Sequence, residues 1–195
     1  MAEISFSILR VILLDRDGVI NHEPGPILNP EQFSMIRGSA DAVARINAKG
    51  WECFVITNQS AIARGDLSED VFEQITNKMH CELKKSGAHI DGQYYCPHHP
   101  EWQNGRRQIN PVPCLCRKPG TRMLELASSE NGFVPEEAVF FGDTTTDFAA
   151  AANWGTCSIG VRTGCAGQDG KISVHPDYWS DDLRSGVDFL IKNAA

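Results

Sequence analysis

The stretch Val11-Ile12-Leu13-Leu14-Asp15-Arg16-Asp17-Gly18-Val19-Ile20-Asn21 decides the fold. Four aliphatic residues in succession suit a strand buried on both faces, as in a parallel sheet. Such a strand delivers Asp15 and Asp17 to its carboxyl end, where open α/β sheets bind ligands. Two carboxylates this close repel each other, so the pair calls for a neighbouring cation. A hard cation such as Mg2+ takes oxygen ligands and leaves positions for phosphate. A carboxylate can also serve as the covalent nucleophile in phosphoryl transfer. The plainer alternative is a polar turn after a strand, where Asp and Gly are ordinary residues.

Outward from this stretch, helices and strands alternate. Ser39 to Lys49 places Ala40, Val43, Ala44 and Asn47 at helical spacing, with Gly50 as a stop. Glu52 to Thr57 reads as the next buried strand. Ser68 is a candidate N-cap followed by Glu69 and Asp70. Phe72, Ile75, Met79 and Leu83 form one apolar stripe ending at Gly87, which is core packing. Ile90 to Tyr95 is a strand. Cys96 to Pro119 has no period and reads as a loop. A helix starts over Thr121 to Ala127, and Ala138 to Phe141 is a strand. Asp147 to Asn153 is an alanine-rich helix, Cys157 to Val161 a strand and Asp182 to Lys192 a closing helix. This alternation predicts an α/β fold, a Rossmann-like parallel sheet with helices on both faces.

Composition narrows the class. A chain of 195 residues is expected to form a single domain over 1–195, with the loop 96–119 inside it. Its net charge of −7 and lack of a long basic run argue against a nucleic-acid or anionic-membrane partner. Met1 to Leu14 lacks a basic n-region and a long apolar h-region. No stretch has the length of a transmembrane helix. The expectation is a cytoplasmic, monomeric protein. Seven cysteines, an odd number, without a secretion signal speak against a disulfide framework.

The other strand ends carry further polar groups. Thr57-Asn58-Gln59-Ser60 follows the second strand, and its hydroxyls, amides and backbone N–H groups can cradle an anion. The fourth strand runs into Gly142-Asp143-Thr144-Thr145-Thr146-Asp147, which places Asp143 beside Asp15 and Asp17. Asp147 reads equally as a helix N-terminal carboxylate stabilised by the dipole. Arg117-Lys118-Pro119 closes the loop, and a lysine there can neutralise a phosphoryl group.

Cys96-x-His98 and Cys114-x-Cys116 bracket that loop. Three thiolates and one imidazole complete a tetrahedral Zn2+ shell with no open position, so the metal would be structural. His99 competes with His98 as the fourth ligand.

The order Asp-x-Asp, Thr, Lys, Gly-Asp-x-x-x-Asp resembles the haloacid dehalogenase (HAD) superfamily of phosphatases. The segments D-R-D-G-V-I-N, T-N-Q-S-A-I-A-R-G, C-P-H-H-P, C-L-C-R-K-P and V-R-T-G are similar to those of the D-glycero-D-manno-heptose 1,7-bisphosphate 7-phosphatase group and its relative, histidinol-phosphate phosphatase. The resemblance implies a two-step aspartyl-phosphate mechanism on a small phosphorylated sugar. Asp15 would be the nucleophile. Asp17 would protonate the leaving alcohol and then activate water. Thr57 and Lys118 would stabilise the phosphoryl group. Mg2+ would be held by Asp15, Asp143 and the backbone carbonyl of Asp17. Arg117 and the loop Glu23-Pro24-Gly25-Pro26 occupy positions that contact substrate in the family, and Asn58, Gln59, Ser60 and Thr144 adjoin them. The resemblance also implies His98 as the zinc-binding histidine.

Two positions depart from the family pattern. Ala61 replaces a common Gly, and Thr144 replaces the usual Lys or Arg after the metal-binding aspartate. About forty residues separate Asp15 from Thr57, too few for a cap domain beside a loop and a helix, so short loops must shield the site. Three readings follow: a phosphatase for a heptose bisphosphate, a phosphatase for another small molecule such as histidinol phosphate, and a zinc-stabilised binding module without catalysis. The intact Asp15 and Asp17 pair argues against the last.

Overall fold

The computed structural model describes residues 6–107 and 114–194. In chain order the elements are β1 (Val11–Leu14), α1 (Ser39–Ala48), β2 (Glu52–Asn58), α2 (Ala61–Arg64), α3 (Glu69–Lys85), β3 (Gly92–Cys96), β4 (Trp102–Gln103), β5 (Arg106–Arg107), α4 (Arg122–Asn131), β6 (Ala138–Gly142), α5 (Thr145–Trp154), β7 (Cys157–Val161), β8 (Tyr178–Ser180) and α6 (Leu183–Asn193). Six strands pair in the order β3-β2-β1-β6-β7-β8, all parallel.

The four aliphatic residues of β1 have no exposed surface, and they alternate between two cores. Ile12 and Leu14 pack with residues of α1, α3 and α6 on one face. Val11 and Leu13 pack with Met123, Leu124, Ala127, Ala150 and Ala151 of α4 and α5 on the other. Burying each such side chain contributes about 1.5–3 kcal/mol relative to leaving it exposed. Any polar substitution in β1 therefore strikes one core or the other. The strand order reverses direction at β1 and β6, and the crevice at such a switch point is where open sheets bind ligands.

Most of the expected elements are present. Ser68 Oγ accepts from the Val71 N–H at 3.2 Å and caps α3. The α3 stripe Phe72, Ile75, Met79 and Leu83 is buried as expected. Asp182 caps α6 by accepting from the Ser185 N–H at 2.7 Å. The loop after Cys96 differs from the expectation. It contains an antiparallel hairpin of β4 and β5, turning on Asn104 (φ 50°) and Gly105 (φ 73°). Asn-Gly is the strongest short hairpin signal, because both central residues of that turn need positive φ. The hairpin rests on α2 through Gly105 N–H to Ala63 O at 2.9 Å. Residues 108–113 of the same loop lie outside the described residues. Two elements carry little sequence signal: the four-residue α2, and the three-residue edge strand β8.

Candidate active site

The two central strands end side by side. The Asp15 N–H bonds to Phe141 O at 2.9 Å, which continues the β1–β6 ladder one step into the site. Beyond it the chain must turn at Gly18 (φ 80°). A Cβ there would run into the Asp143 carboxylate, so only glycine brings the two loops together. A Cβ on Gly164 (φ 62°) would meet the same carboxylate oxygen and the Gly18 backbone.

Lys118 is the centre of the charge arrangement. Its ammonium forms ion pairs with Asp15 Oδ1 at 2.9 Å and Asp147 Oδ1 at 2.7 Å, and donates to Ile56 O at 2.8 Å. These three oxygens surround a side chain that is 1 % exposed. Burial opposes the ammonium, but Asp147 and Asp15 outweigh it and raise the Lys118 pKa. Asp147 also accepts from Thr144 N–H at 3.0 Å and Thr144 Oγ1 at 2.7 Å. It is thus both the helix-start carboxylate and a partner of Lys118.

The carboxylate oxygens of Asp15, Asp143 and Asp147 lie within 4.8 Å of one another. One ammonium faces these three carboxylates, and the imbalance shows in their titration. Burial pushes Asp15 up to about 8; Lys118 opposes this, while Asp147, Asp143 and Asp17 add to it. Burial, with Asp147, pushes Asp143 up to about 7, against the Cys165 N–H and Lys118. Asp143 Oδ2 accepts from the Cys165 N–H at 2.6 Å, whereas the buried Oδ1 has no partner among the described residues. Buried acceptors are nearly always satisfied. An unpaired oxygen facing a carboxylate cluster is what a hard divalent cation requires, so the residues fit Mg2+.

Asp17 sits apart from that cluster. Its Oδ1 accepts from Arg16 Nε at 3.0 Å and Asn21 Nδ2 at 2.9 Å. Its Oδ2 accepts from Arg16 at 2.8 Å and Gln59 Nε2 at 2.8 Å. Burial alone would raise the Asp17 pKa, but Arg16, Asn21 and Gln59 outweigh it and hold the carboxyl below its ordinary value. Gln59 also donates to Thr57 Oγ1 at 3.0 Å, which joins Thr57 to this group.

The remaining expected contacts divide. Asn58 engages the backbone of Lys118. Ser60 Oγ accepts from Arg64 at 2.9 Å. Arg117 reaches the carbonyl of His98 at 3.2 Å, and burial lowers its pKa. Glu23, Pro24, Gly25 and Pro26 form an exposed rim. Partial desolvation, then Asp17 and Asp15, push the Glu23 carboxyl up to about 7. Arg16, Asn21, Thr163 and Cys165 carry contacts that sequence reasoning missed. Thr163 Oγ1 donates to Gly18 O at 2.6 Å. Its segment V-R-T-G was quoted above only as a motif, since backbone-directed contacts leave little mark on residue type.

Cys96, His98, Cys114 and Cys116 form a second cluster. The six distances among their three sulfurs and His98 Nδ1 run from 3.1 to 3.6 Å, the edges of a closed tetrahedron. No disulfide links them. His99 is outside the cluster, its Nδ1 accepting from the Glu101 N–H at 3.0 Å. This donor set could hold a zinc ion.

A strand-end aspartate pair, a buried lysine and an acidic cluster at the switch point of a parallel sheet define a HAD-type hydrolase. The HAD-hydrolase-like family model matches residues 115–185. A D-glycero-beta-D-manno-heptose-1,7-bisphosphate 7-phosphatase of Pasteurella multocida is 40% identical over 141 residues, 72% of this chain and 74% of that protein. The enzyme of the same name from Escherichia coli K12 is 40% identical over 155 residues, 78% of this chain and 79% of that one. Among solved structures, a D,D-heptose 1,7-bisphosphate phosphatase from B. bronchiseptica, complexed with magnesium and phosphate, superposes with a TM-score of 0.83 at 29% identity, covering 95% of this chain and 100% of the other. The chain belongs to the HAD superfamily of hydrolases, in the phosphatase group that these relatives form. It is a phosphatase, a phosphoric monoester hydrolase. No helix among the described residues is long and apolar enough to cross a membrane.

Proposed function

We infer that this phosphatase hydrolyses the 7-phosphate of D-glycero-D-manno-heptose 1,7-bisphosphate through an aspartyl-phosphate on Asp15. The observation that carries the chemistry is the Lys118 ammonium, 2.9 Å from Asp15 just after β1 and 2.7 Å from Asp147 in the first turn of α5. The substrate follows from the relatives, which share 36–41% identity with this chain and carry that activity in their names.

In the first step an Asp15 oxygen bonds to phosphorus as the bond to the leaving alcohol breaks. The alcohol oxygen takes its proton from Asp17, which retains it from the water of the preceding turnover against the lowered pKa that Arg16, Asn21 and Gln59 give the resting carboxyl. Lys118 and Thr57 hold the phosphoryl oxygens as charge shifts across them. In the second step Asp17 takes a proton from water, the water oxygen bonds to phosphorus, and Asp15 leaves with inorganic phosphate as product. Asp15, Asp143 and the Asp17 carbonyl would hold Mg2+, which when bound offsets charge between the carboxylates and the phosphate. Asp147 orients Lys118. Cys96, His98, Cys114 and Cys116 would hold Zn2+ in a structural role, and because Lys118 lies two residues after Cys116 a bound metal would fix the lysine's approach. The phosphorylated sugar is the partner; cytoplasmic location and a monomeric state accord with the composition.

Two measurements test this. Phosphate release from both anomers of the heptose bisphosphate and from histidinol phosphate should favour a heptose bisphosphate. Asp15→Asn should abolish turnover and aspartyl-phosphate formation, because an amide is a far poorer nucleophile. Substantial turnover by clean Asp15→Asn protein would remove Asp15 from the role.

A further inference from the structure

We propose that Arg16, the residue between the two aspartates, is the positioning residue for Asp17: its guanidinium fork fixes the orientation in which that carboxylate meets the leaving alcohol. This rests on the reading of Asp17 as the general acid.

Arg16 follows a buried strand and is itself 1 % exposed. Burying a guanidinium is costly unless it is paired. Its Nε and Nη2 grip Asp17 Oδ1 and Oδ2 at 3.0 and 2.8 Å, the two-pronged match of guanidinium to carboxylate. The guanidinium lies 5.6 Å from the Phe72 ring centroid, which backs the fork from α3. Filling space does not explain the residue. An apolar side chain would fill that volume without desolvating a charge, and Nη1 remains buried with no partner among the described residues.

The other two bonds to Asp17 are of a different kind. Asn21 and Gln59 each donate one amide N–H to the carboxylate, whereas the Arg16 fork pairs two full charges through two parallel bonds. Gln59 bridges Asp17 Oδ2 and Thr57 Oγ1, so its amide stands between the acid and the phosphoryl-binding hydroxyl. On this proposal a substrate oxygen takes the place of the Gln59 amide while the Arg16 fork stays closed. Arg16 therefore sets the plane of the carboxylate, and Gln59 marks the side from which the alcohol is protonated.

Leaving-group dependence tests the proposal. The alcohol of a sugar phosphate needs a proton to leave, whereas p-nitrophenolate leaves without one. For the Mg2+-loaded protein, kcat/KM is measured for heptose 1,7-bisphosphate and for p-nitrophenyl phosphate, and their ratio is compared among variants. General acid catalysis is worth about 10²–10⁴-fold, so Arg16→Met should lower the sugar-to-aryl ratio by at least about tenfold. Arg16→Lys keeps the charge without the two-pronged grip and should lower the ratio as well. It also serves if the Arg16→Met protein does not fold. An equal loss on both substrates makes Arg16 a structural residue and overturns the proposal. A parent-like ratio in Arg16→Lys would show that charge suffices and that the fork does not matter. Asp17→Asn separates the underlying reading: if it too leaves the ratio unchanged, the general-acid role itself fails. If Asp17→Asn lowers the ratio and the Arg16 variants do not, only the role of Arg16 fails.

Discussion

Asn58 holds the backbone of Lys118 from both sides. The Lys118 N–H donates to Asn58 Oδ1 at 3.0 Å, and Asn58 Nδ2 donates to Lys118 O at 3.3 Å. The end of β2 thereby grips the residue whose ammonium joins Asp15 to Asp147. Asn58 was expected to bind substrate; the structure shows both ends of its amide bonded to the Lys118 backbone. Replacing it with leucine removes both bonds and leaves two backbone groups to be satisfied elsewhere, a cost of about 1–3 kcal/mol for each buried group left unpaired. Asn58→Leu should lower kcat about ten- to hundredfold with KM changed much less, as steady-state kinetics would show. A rise in KM with kcat intact would return Asn58 to the substrate.

The cluster of Cys96, His98, Cys114 and Cys116 should act on the same lysine from the other end. Purified, reduced protein is expected to contain about one Zn2+ per chain, measurable by elemental analysis. Cys114→Ser should weaken it, and His99→Ala should not, because His99 stands outside the tetrahedron. Stripping zinc should lower Tm and kcat together, since metal binding is coupled to folding of the loop that delivers Arg117 and Lys118. Zinc-free protein of full activity would uncouple the cluster from the site.

Titration of the acidic cluster gives a sign that can be checked. Asp15 and Asp143 are raised to about 8 and about 7, above the unfolded value of about 3.9. Between these limits the native metal-free state binds more protons than the unfolded chain, so the contribution of these groups to stability falls as pH rises. Asp17, depressed in the native state, acts oppositely, and its contribution is lost only as pH falls below the carboxylate range. Mg2+ binds the ionised carboxylates, so its stabilising effect should grow from pH 5 to pH 8. At roughly a hundred times Kd the gain is about 2.7 kcal/mol, or a Tm rise of about 5–10 °C for a chain of this size. Thermal unfolding with and without Mg2+ at both pH values measures it. An equal Mg2+ shift at pH 5 and pH 8 would contradict the assigned titration.

How much of this was legible in the sequence differs by element. β1 was legible because four consecutive aliphatic residues admit few other environments, and Asp15 followed by continuity. The cluster was legible in Cys and His spacing as far as the three cysteines; spacing left His98 and His99 open, and the family resemblance pointed to His98. The fork of Arg16 on Asp17 was not, because adjacent residues of a strand ordinarily point to opposite faces. The two meet only because the chain leaves β-geometry after Asp15 and turns at Gly18. The β4–β5 hairpin was legible in Asn104-Gly105 but was hidden by the proline- and cysteine-rich surroundings. β8, three residues long, had no periodicity to read; its pairing with β7 is a tertiary outcome.

Thr144 gives the last prediction. Its hydroxyl donates to Asp147 Oδ2 at 2.7 Å and lies 2.8 Å from Thr146 Oγ1, so it is committed to the start of α5 and to the carboxylate that pairs with Lys118. The family places a cation at this position, and a charge-assisted hydrogen bond from it would contribute roughly 1.5–3 kcal/mol. As a hypothesis motivated by Gly142-Asp143-Thr144, Thr144→Lys should raise kcat/KM for heptose 1,7-bisphosphate about tenfold or more relative to a monophosphate with an uncharged tail. The loss of the hydroxyl at the helix start should cost about 1 kcal/mol, a fall in Tm of about 2–4 °C. Kinetics on both substrates and a melting curve of the same preparation separate the two effects. If the parent handles the bisphosphate efficiently and lysine brings no gain, Thr144 is not the substrate determinant. The cation would then come from another direction. Lys171 is paired at 3.6 Å with Asp169, whose carboxylate accepts from Thr145 N–H and Oγ1 at the same helix start. It stands nearer this end of α5 in the bonding pattern than Arg107, which is exposed and paired with Glu101, and Lys171→Ala would be the variant to measure against Arg117→Ala.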